Sequence, residues 1–393
     1  MRMYADKVIE QVVSWRRDIH EHPELSQHEE RTSSLVAGVL EGLGLEVMRN
    51  VGGYGVVGLL RGKSDGRTVA LRADMDALPL TEATGLPFAS KTPGVMHACG
   101  HDTHTAMLLG AASVLAGMRE ELKCNVKFIF QPAEELNPTG GAPGMIREGV
   151  LEEPHVDALF ALHVWPALET GKVAVKPGAL MAASDRVFIT VKGKSAHGSR
   201  PDQGIDAVVA AAHVITGLQG IISRSVSPLD SAVLTIGTIH GGDRYNVIPE
   251  RVDLEGTVRT LNPGVQERMP EMITRTVRGI AEGLGAEYEV KYVKGYPPLV
   301  NDSSLAEVAG LAVRRRLGGD ALVVPGQPDL TAEDFAFFAR ERPAVMAWLG
   351  CRPGDVKPED MAMLHNTKFC PDEECLKYGI EYLAGSAIDF LSE

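Results

Sequence analysis

Three short apolar runs, each followed directly by polar residues, constrain the fold of this chain most strongly. The runs RTVALRAD, NVKFIFQPAEE and VDALFALHV alternate with helical patterns over the first 180 residues. Short β-branched runs separated by helices predict an α/β fold, in which helices cover both faces of a sheet. Ligands of such sheets bind outside the carboxyl ends of the strands, and the polar residues here fall at those ends.

The middle of the chain has a different pattern. Between residues 181 and 294 the predicted elements follow the order βαββαβ, which is the split unit of ferredoxin-like domains. Connectors containing Gly and Pro flank this segment on both sides. We therefore predict one α/β domain formed by residues 1–180 and 295–393, interrupted by a smaller α+β domain of residues 181–294.

Composition and charge argue against several classes of partner. The formal net charge of −13 disfavours nucleic acid or an anionic membrane surface. The most apolar stretch, GIDAVVAAAHVITGLQGII, is interrupted by polar residues and predicts a packed helix rather than a membrane span. The N-terminal segment has no uninterrupted apolar region, so we expect no signal peptide. The five widely spaced cysteines then favour a reducing, cytoplasmic compartment.

The segment HACGHDTH at residues 97–104 concentrates cysteine and histidine side chains. Taken singly, His97 and His104 are explained equally well as metal ligands and as hydrogen-bonded structural residues. Cys99 and His101 are alternate residues, and alternate side chains of an extended segment point to the same side. Thiolate and imidazole suit zinc, manganese or a similar transition metal, so this pair predicts a metal site.

Carboxylates follow two of the apolar runs. Glu134 and Glu135, taken alone, would be read as solvated loop charges. Beside a metal ion the two carboxylates can have separate roles, because one can bind the metal while the other carries a proton from water to the leaving nitrogen. Asp74 and Asp76 alternate at another strand end and can ligate or orient a ligand. The further candidate ligands are His163, after the run VDALFAL, and His365, in AMLHNTKF.

Together these motifs resemble those of a known family. RADMDALP, HACGHD, FQPAEE, SAHGSRP and a late LHN are similar to the motifs of the amidohydrolase branch of the aminoacylase/carboxypeptidase metallopeptidases. That branch includes hippurate hydrolases, auxin–amino acid conjugate hydrolases and N-acetyldiaminopimelate deacetylases. The resemblance runs from about Arg17 to about Phe369. It implies a two-metal catalytic domain with an inserted lid or dimerisation domain.

The resemblance also implies roles for individual residues. Glu134 would be the general base and acid. Relatives outside the branch carry His-x-Asp at residues 74–76, so Asp76 would be the orienting carboxylate and Asp74 would stand where a ligand otherwise sits. This departure leaves the exact ligand set open, and manganese is as plausible as zinc, with cobalt or nickel possible in vitro. The two ions per subunit would be held by Cys99 as a bridge, His101, Glu135, His163 and His365.

In the inserted domain, the motif SAHGSRP implies that His197 helps to polarise the scissile carbonyl, although a turn histidine is the plainer interpretation. Asn246 and Arg259 match family positions near the substrate. An Arg fork can bind a carboxylate in a bidentate manner, but Arg259 could equally pair with Glu255 on its own strand.

One further acidic pair lies in the motif TAEDFAFF. We interpret Glu333 and Asp334 as helix-capping residues that do not touch the chemistry.

We expect hydrolysis of a small N-acyl amino acid, with an acetyl, benzoyl or similar acyl group, to a carboxylate and a free amino acid. Three alternatives stay open: a dipeptidase or carboxypeptidase of the same superfamily, a thiol hydrolase using Cys99 with His101, and a non-catalytic metal-binding or regulatory protein. The apolar strand AVLTIGTI predicts a homodimer or a dimer of dimers. His197 would then reach the metals of its own chain or of the partner.

Overall fold

The computed structural model describes residues 2–64 and 66–392, and the chain divides into two compact units. The first contains the described residues up to Leu180, Val300–Gln327 and those from Asp334 onward; the second contains Met181–Leu299 and Pro328–Glu333. The second unit therefore extends beyond the predicted end at residue 294. Backbone hydrogen bonds explain the difference, because Ser184 N–H donates to the Tyr296 carbonyl (3.1 Å) and Ala182 N–H to the Thr331 carbonyl (2.8 Å).

An eight-stranded sheet forms the centre of the first unit, in the order β1-β2-β4-β3-β5-β16-β6-β15. Its strands are β1 (Glu46–Val51), β2 (Gly55–Leu60), β3 (Thr68–Asp74), β4 (Asn125–Gln131), β5 (Ala158–Glu169), β6 (Val173–Ala174), β15 (Leu322–Val323) and β16 (Ala344–Arg352). The four strands from β4 to β16 pair in parallel. Every residue of β3 and β4 is buried, as expected for central strands covered on both faces.

The helices of this unit are α1 (Arg2–Glu21), α2 (Glu30–Gly42), α3 (His101–Gly117), α4 (Ala142–Arg147), α7 (Ser303–Leu317), α8 (Phe335–Glu341) and α9 (Cys375–Phe390). A separate two-stranded sheet joins β7 (Gly178–Met181) to β14 (Leu299–Asn301). Helix α3 packs against both α1 and α9 and is buried on nearly all sides. It is therefore apolar around most of its circumference rather than amphipathic.

The parallel strands bring the predicted site residues together at the carboxyl ends of the central strands. Asp74 is the last residue of β3, and Gln131, just before the paired glutamates, is the last of β4. The expectation that His163 follows its strand is wrong. Strand β5 continues to Glu169, because its second half keeps pairing with β16, where Trp348 lies opposite His163.

The second unit contains a four-stranded antiparallel sheet in the order β10-β12-β8-β13. Its elements are β8 (Asp185–Lys192), β9 (Ala196–His197), α5 (Ala207–Arg224), β10 (Ala232–Gly241), β11 (Val247–Ile248), β12 (Arg251–Thr260), α6 (Pro263–Gly283) and β13 (Glu287–Val293). The long elements follow the order βαββαβ, as the sequence predicts. Asp206 accepts hydrogen bonds from Val208 and Val209 N–H, which caps α5 at its N-terminus.

Helix α5 is the one helix of the described residues that is long and apolar enough to cross a membrane. A core helix passes the same test of length and composition. One face of α5, with Ala210, Val214 and Leu218 fully buried, packs into the apolar core of the second unit beside the sheet. This packing agrees with the predicted packed helix.

Candidate metal centre

Cys99 and His101 lie on a tight turn at the start of α3, not on the extended segment that the sequence suggested. Gly100 between them has a φ of 87° and precedes the first helical residue, His101. A Cβ at Gly100 would lie 2.6 Å from a methyl group of Val164, so both the backbone angle and the close approach require glycine. The prediction of an extended segment was wrong, but the turn still places both side chains in the cluster described below.

The structure brings together all five predicted ligands. The Cys99 Sγ lies 3.4 Å from His163 Nε2 and 3.3 Å from His365 Nε2. His365 has a φ of 61°, and its N–H donates to the Ala98 carbonyl at 2.8 Å, which holds it beside the cysteine turn. Five groups of ligand atoms lie within 4.8 Å of one another, and three of them are formed by the predicted ligands and Glu134: Cys99 with His101 and His163, Cys99 with Glu135 and His365, and His101 with Glu134 and Glu135.

These residues fit two divalent ions. His101 Nε2 is buried and has no hydrogen-bond partner among the described residues, and Glu135 Oε1 is buried 3.2 Å from His365 Nε2. His163 Nδ1 contacts the Val164 carbonyl at 2.8 Å, so this nitrogen carries the proton and the Nε2 lone pair is available to a metal. Cys99 Sγ lies close to ligand atoms of two of these groups, one with His101 and His163 and one with Glu135 and His365.

The carboxylates of the cluster favour a positive charge at His101. Burial lowers the pKa of His101, but Asp74, Asp76 and Glu135 raise it to about 10, so that a proton occupies this site when no cation does. Burial, with the nearby Glu135 and Glu134 carboxylates, raises the pKa of the Cys99 thiol well above its usual value. Such a thiol is a poor nucleophile by itself, and its nearest imidazoles are those of His163 and His365 rather than His101.

Asp76 accepts four hydrogen bonds that orient the cluster. Its Oδ1 accepts from Glu134 N–H (3.1 Å) and contacts His101 Nδ1 (3.3 Å). Its Oδ2 accepts from Glu135 N–H (2.9 Å) and from the Ser26 hydroxyl (2.6 Å). Burial raises the pKa of Asp76, but the bonds from His101 and Ser26 outweigh it and keep the pKa below its usual value. This is the geometry of an orienting carboxylate.

Asp74 has a different set of partners. Its Oδ1 contacts His104 Nδ1 (2.7 Å), and its Oδ2 accepts from the Arg72 guanidinium (2.7 Å). His104 Nε2 accepts from Val164 N–H at 2.9 Å, so its proton lies on Nδ1 and both nitrogens are used. His104 is therefore a structural histidine. Asp74 lies 3.9 Å from His101 Nδ1 and supports the cluster while pairing with Arg72.

Asp334 does not cap α8, contrary to the expectation for this acidic pair. Its side chain makes no capping hydrogen bond. It accepts instead from Arg72 (2.9 Å) and Gln131 (2.8 Å), and from the N–H groups of Gly141 (3.0 Å) and Ala142 (3.1 Å). Burial raises the pKa of Asp334 to about 6. Its neighbour Glu333 is also buried.

The sequence profile of Peptidase family M20/M25/M40 matches residues 70–389, the segment that carries every ligand described above. This chain belongs to that family. It is a hydrolase with the mixed α/β fold of the M20 metallopeptidases, as its motifs had suggested.

Individual relatives of this M20 hydrolase agree. An N-acyl-L-amino acid amidohydrolase of Geobacillus stearothermophilus is 44% identical over 81% of this chain and 86% of the relative. An N-acetylcysteine deacetylase of Bacillus subtilis is 40% identical over 98% of both chains. A solved Bacillus subtilis structure, described as a dinuclear metal-binding peptidase of family M20, has a TM-score of 0.85 at 38% identity, covering 98% of this chain and 99% of that one. The fold and the presence of a candidate dinuclear site agree with that structure.

The second unit of the M20 hydrolase holds the remaining predicted site residues. His197 lies exposed in β9, and its Nδ1 accepts from Ser199 N–H at 3.1 Å. Asn246 Oδ1 is buried without a partner among the described residues. The alternative in which Arg259 pairs with Glu255 is wrong, because Glu255 pairs with Arg186. Arg259 donates a long hydrogen bond, 3.5 Å, to the Ala183 carbonyl.

Sequence reasoning did not identify several residues around the site of this M20 enzyme. Arg72 is part of the motif RADMDALP, but the prediction covers only the two aspartates of that motif. Ser26 and Glu29 lie in a polar loop with no pattern of its own. Their contacts to Asp76 and Ala133 join residues that are 50 and 104 positions apart.

Proposed function

We propose that this M20 hydrolase uses two divalent metal ions to cleave the amide bond of N-acyl amino acids, giving a carboxylate and a free amino acid. One observation carries the proposal. Glu134, whose side chain is buried, stands beside the candidate ligands His101 and Glu135 with its backbone N–H held by Asp76. The names of the Geobacillus and Bacillus relatives support the N-acyl substrate class.

The ions would be held by Cys99, His101, Glu135, His163 and His365. When bound, such ions polarise the scissile carbonyl and lower the pKa of a water molecule. Sulfur, nitrogen and oxygen donors suit zinc and manganese alike, and cobalt or nickel could substitute in vitro. The two imidazoles His101 and His163 are oriented by Asp76 and by the Val164 carbonyl, respectively.

Glu134 takes the proton from the attacking water and delivers it to the leaving nitrogen. Arg259 would bind the α-carboxylate of the substrate, because its half-buried guanidinium is held by only a long hydrogen bond to the Ala183 carbonyl (3.5 Å) among the described residues and can bind a carboxylate in a bidentate manner. His197 and Asn246 would contact the scissile amide, and the second unit would serve as a lid and a dimerisation surface. The cytoplasm is the proposed compartment, consistent with five free cysteines.

The test is a hydrolysis screen of N-acetyl, N-benzoyl and indole-acetyl amino acids against dipeptides. The enzyme is assayed after chelation and after addition of manganese, zinc or cobalt. We expect chelation to abolish hydrolysis of N-acyl amino acids and manganese or zinc to restore it. Full activity of enzyme shown by elemental analysis to contain no metal would refute the metal role.

A peptidase activity is the second candidate, because a specific relative favours it. Thermostable carboxypeptidase 1 of Saccharolobus solfataricus is 41% identical over 96% of this chain and 95% of the relative. The same site would cleave a peptide bond by the same steps. A higher kcat/KM for dipeptides or C-terminal residues than for any N-acyl amino acid would assign the enzyme to this second class.

A further inference from the structure

The turn that carries Glu134 has a strained backbone. Ala133 has a φ of 57°, in the left-handed region that residues with a Cβ rarely adopt. Such a conformation persists only where the surroundings impose it. Ala133 is buried and directly precedes the two glutamates of the site, so its conformation sets the direction in which both side chains leave the turn.

Two buried carboxylates bind three successive N–H groups of this turn. Glu29 accepts from Ala133 N–H at 2.8 Å. Asp76 accepts from Glu134 N–H at 3.1 Å and from Glu135 N–H at 2.9 Å. The Glu29 side chain is fully buried, and Asp76 is 1% exposed. Each of the three N–H groups therefore has a buried side-chain oxygen as its acceptor, and these contacts can hold the strained turn.

The loop before α2 anchors both carboxylates. Ser26 donates to Asp76 at 2.6 Å, and Ala77 N–H donates to the Glu24 carbonyl at 2.8 Å. Glu29 occupies the N-cap position of α2, where a side chain would ordinarily accept from the first helical N–H groups. Its side chain makes no such bond and reaches across to Ala133 instead.

We propose that Glu29 is a positioning residue for amide hydrolysis, holding the Ala133 backbone in the conformation from which Glu134 faces the metal ligands. This inference rests on the proposed function. Glu29 acts through one hydrogen bond, so the effect depends on an acceptor at the correct reach rather than on charge. Its Oε2 is buried without a partner among the described residues, and burial raises the pKa of Glu29 to about 7. A glutamine at this position can therefore supply the same acceptor oxygen to Ala133 N–H.

The experiment compares Glu29→Ala, Glu29→Asp and Glu29→Gln with the control Glu30→Gln, since Glu30 is the exposed neighbour. Displacement of a reacting group by about 1 Å costs on the order of 10²-fold in rate, so we expect kcat of the Ala and Asp variants to fall by that order. KM and metal content should stay near wild type. Glu29→Gln should retain most of kcat, and Glu30→Gln all of it. Equal kcat in Glu29→Asp and wild type would overturn the inference, and the Asp variant decides if Glu29→Ala does not fold.

A double-mutant cycle tests the route of the effect. In a Glu134→Gln background, Glu29→Ala should cause no further loss of kcat, because the group that it positions is already gone. The same fold-loss in both backgrounds would show that Glu29 does not act through Glu134.

Hydrogen exchange separates this inference from the proposed function. Glu29→Asp should speed the exchange of amides in the segment 133–136, whereas Glu30→Gln should not, because only the first removes an anchor of the turn. Unchanged exchange in Glu29→Asp would overturn the anchoring. Wild-type enzyme that fails to hydrolyse N-acyl amino acids would refute the proposed function instead, and the exchange result would still decide whether Glu29 holds the turn.

Discussion

At the scale of single residues, hydrogen-bond partners distinguish candidate ligands from supporting residues. A ring nitrogen whose hydrogen-bond partner is not itself a candidate ligand is not available to a metal. His104 uses both ring nitrogens, on Asp74 and on Val164 N–H, and has none left for a metal. His101 and His163 each use Nδ1 and present Nε2 to the cluster. The sequence cannot make this distinction, because all three are histidines close to apolar segments.

Glu134→Gln should remove catalysis and leave the metal bound, because it deletes the proposed proton carrier and keeps the candidate ligand Glu135. A general acid–base group contributes about 10²–10⁴-fold, and we expect kcat to fall by that factor with KM nearly unchanged. Steady-state kinetics and elemental analysis of the same preparation provide the test. Loss of metal in Glu134→Gln would mean that the roles of the two glutamates are exchanged.

Arg259 predicts that the substrate needs a free α-carboxylate. The α-amide of a good substrate should have a much lower kcat/KM, since a charge-assisted hydrogen bond contributes roughly 1.5–3 kcal/mol. Arg259→Lys should weaken the discrimination, because lysine cannot form the bidentate pair. If acid and amide react equally well with wild-type enzyme, Arg259 does not bind a carboxylate.

At the scale of elements, α1 fixes the start of α3, where two of the predicted ligands lie. Asp102, the residue after His101, is fully buried and pairs with Arg16 (2.8 Å) and with His20 (2.9 Å) on α1. His20 also contacts Glu82 at 3.3 Å. The turn with Cys99 and His101 is thereby tied to a helix more than 80 residues earlier in the chain.

This anchor predicts a pH-dependent contribution to stability. Burial lowers the pKa of His20, but Asp102 and Glu82 outweigh it and raise the pKa from 6.5 to about 9. A group with a raised pKa in the folded state stabilises that state. The contribution of His20 to the free energy of unfolding is complete below the unfolded-state pKa of about 6.5 and disappears as the pH rises through about 9. The Tm of His20→Gln should therefore lie roughly 2–5 °C below wild type at pH 6.

Calorimetry of both proteins at pH 6, 7.5 and 9.5, with the metal content held constant, provides the measurement. The Tm difference should shrink across this series. A difference that is the same at all three values would mean that the protonated imidazole contributes nothing.

At the scale of the whole molecule, the second unit offers an edge for assembly. Strand β10 lies at one edge of the four-stranded sheet, and its second half is exposed, with Ile239 at 53%. An exposed edge strand can pair with a copy of itself across a two-fold axis. We keep the homodimer as a proposal, with His197 acting in its own chain or in the partner.

Mixing His197→Ala with Glu134→Gln subunits tests the arrangement. If His197 acts in the partner, each hybrid dimer contains one site with both groups intact, and activity returns to about half of normal in the hybrids. If hybrids confirmed by native mass spectrometry stay inactive, His197 is confined to its own chain or has no role. A monomer at assay concentration would exclude action in the partner.

The sequence by itself determined the βαββαβ order of the second unit and the central strands β3, β4 and β5 of the first, because the spacing of apolar residues is a local property. It also proposed the candidate ligands, since Cys99, His101 and Glu135 stand in long motifs that resemble those of the family. The sequence-based prediction of an extended segment from Cys99 to His101 was wrong, because a single backbone angle sets the conformation there. Gly100 turns the chain between Cys99 and His101, and no periodicity shows this.

Only the tertiary structure decided which polar residues support the site. Asp334 meets Arg72 across 262 positions, and Glu29 meets Ala133 across 104. Such pairs form because parallel strands β3 and β4 end at the same edge of the sheet and distant loops converge on it. A buried carboxylate must find donors wherever the fold brings them, and that requirement leaves no local pattern in the sequence.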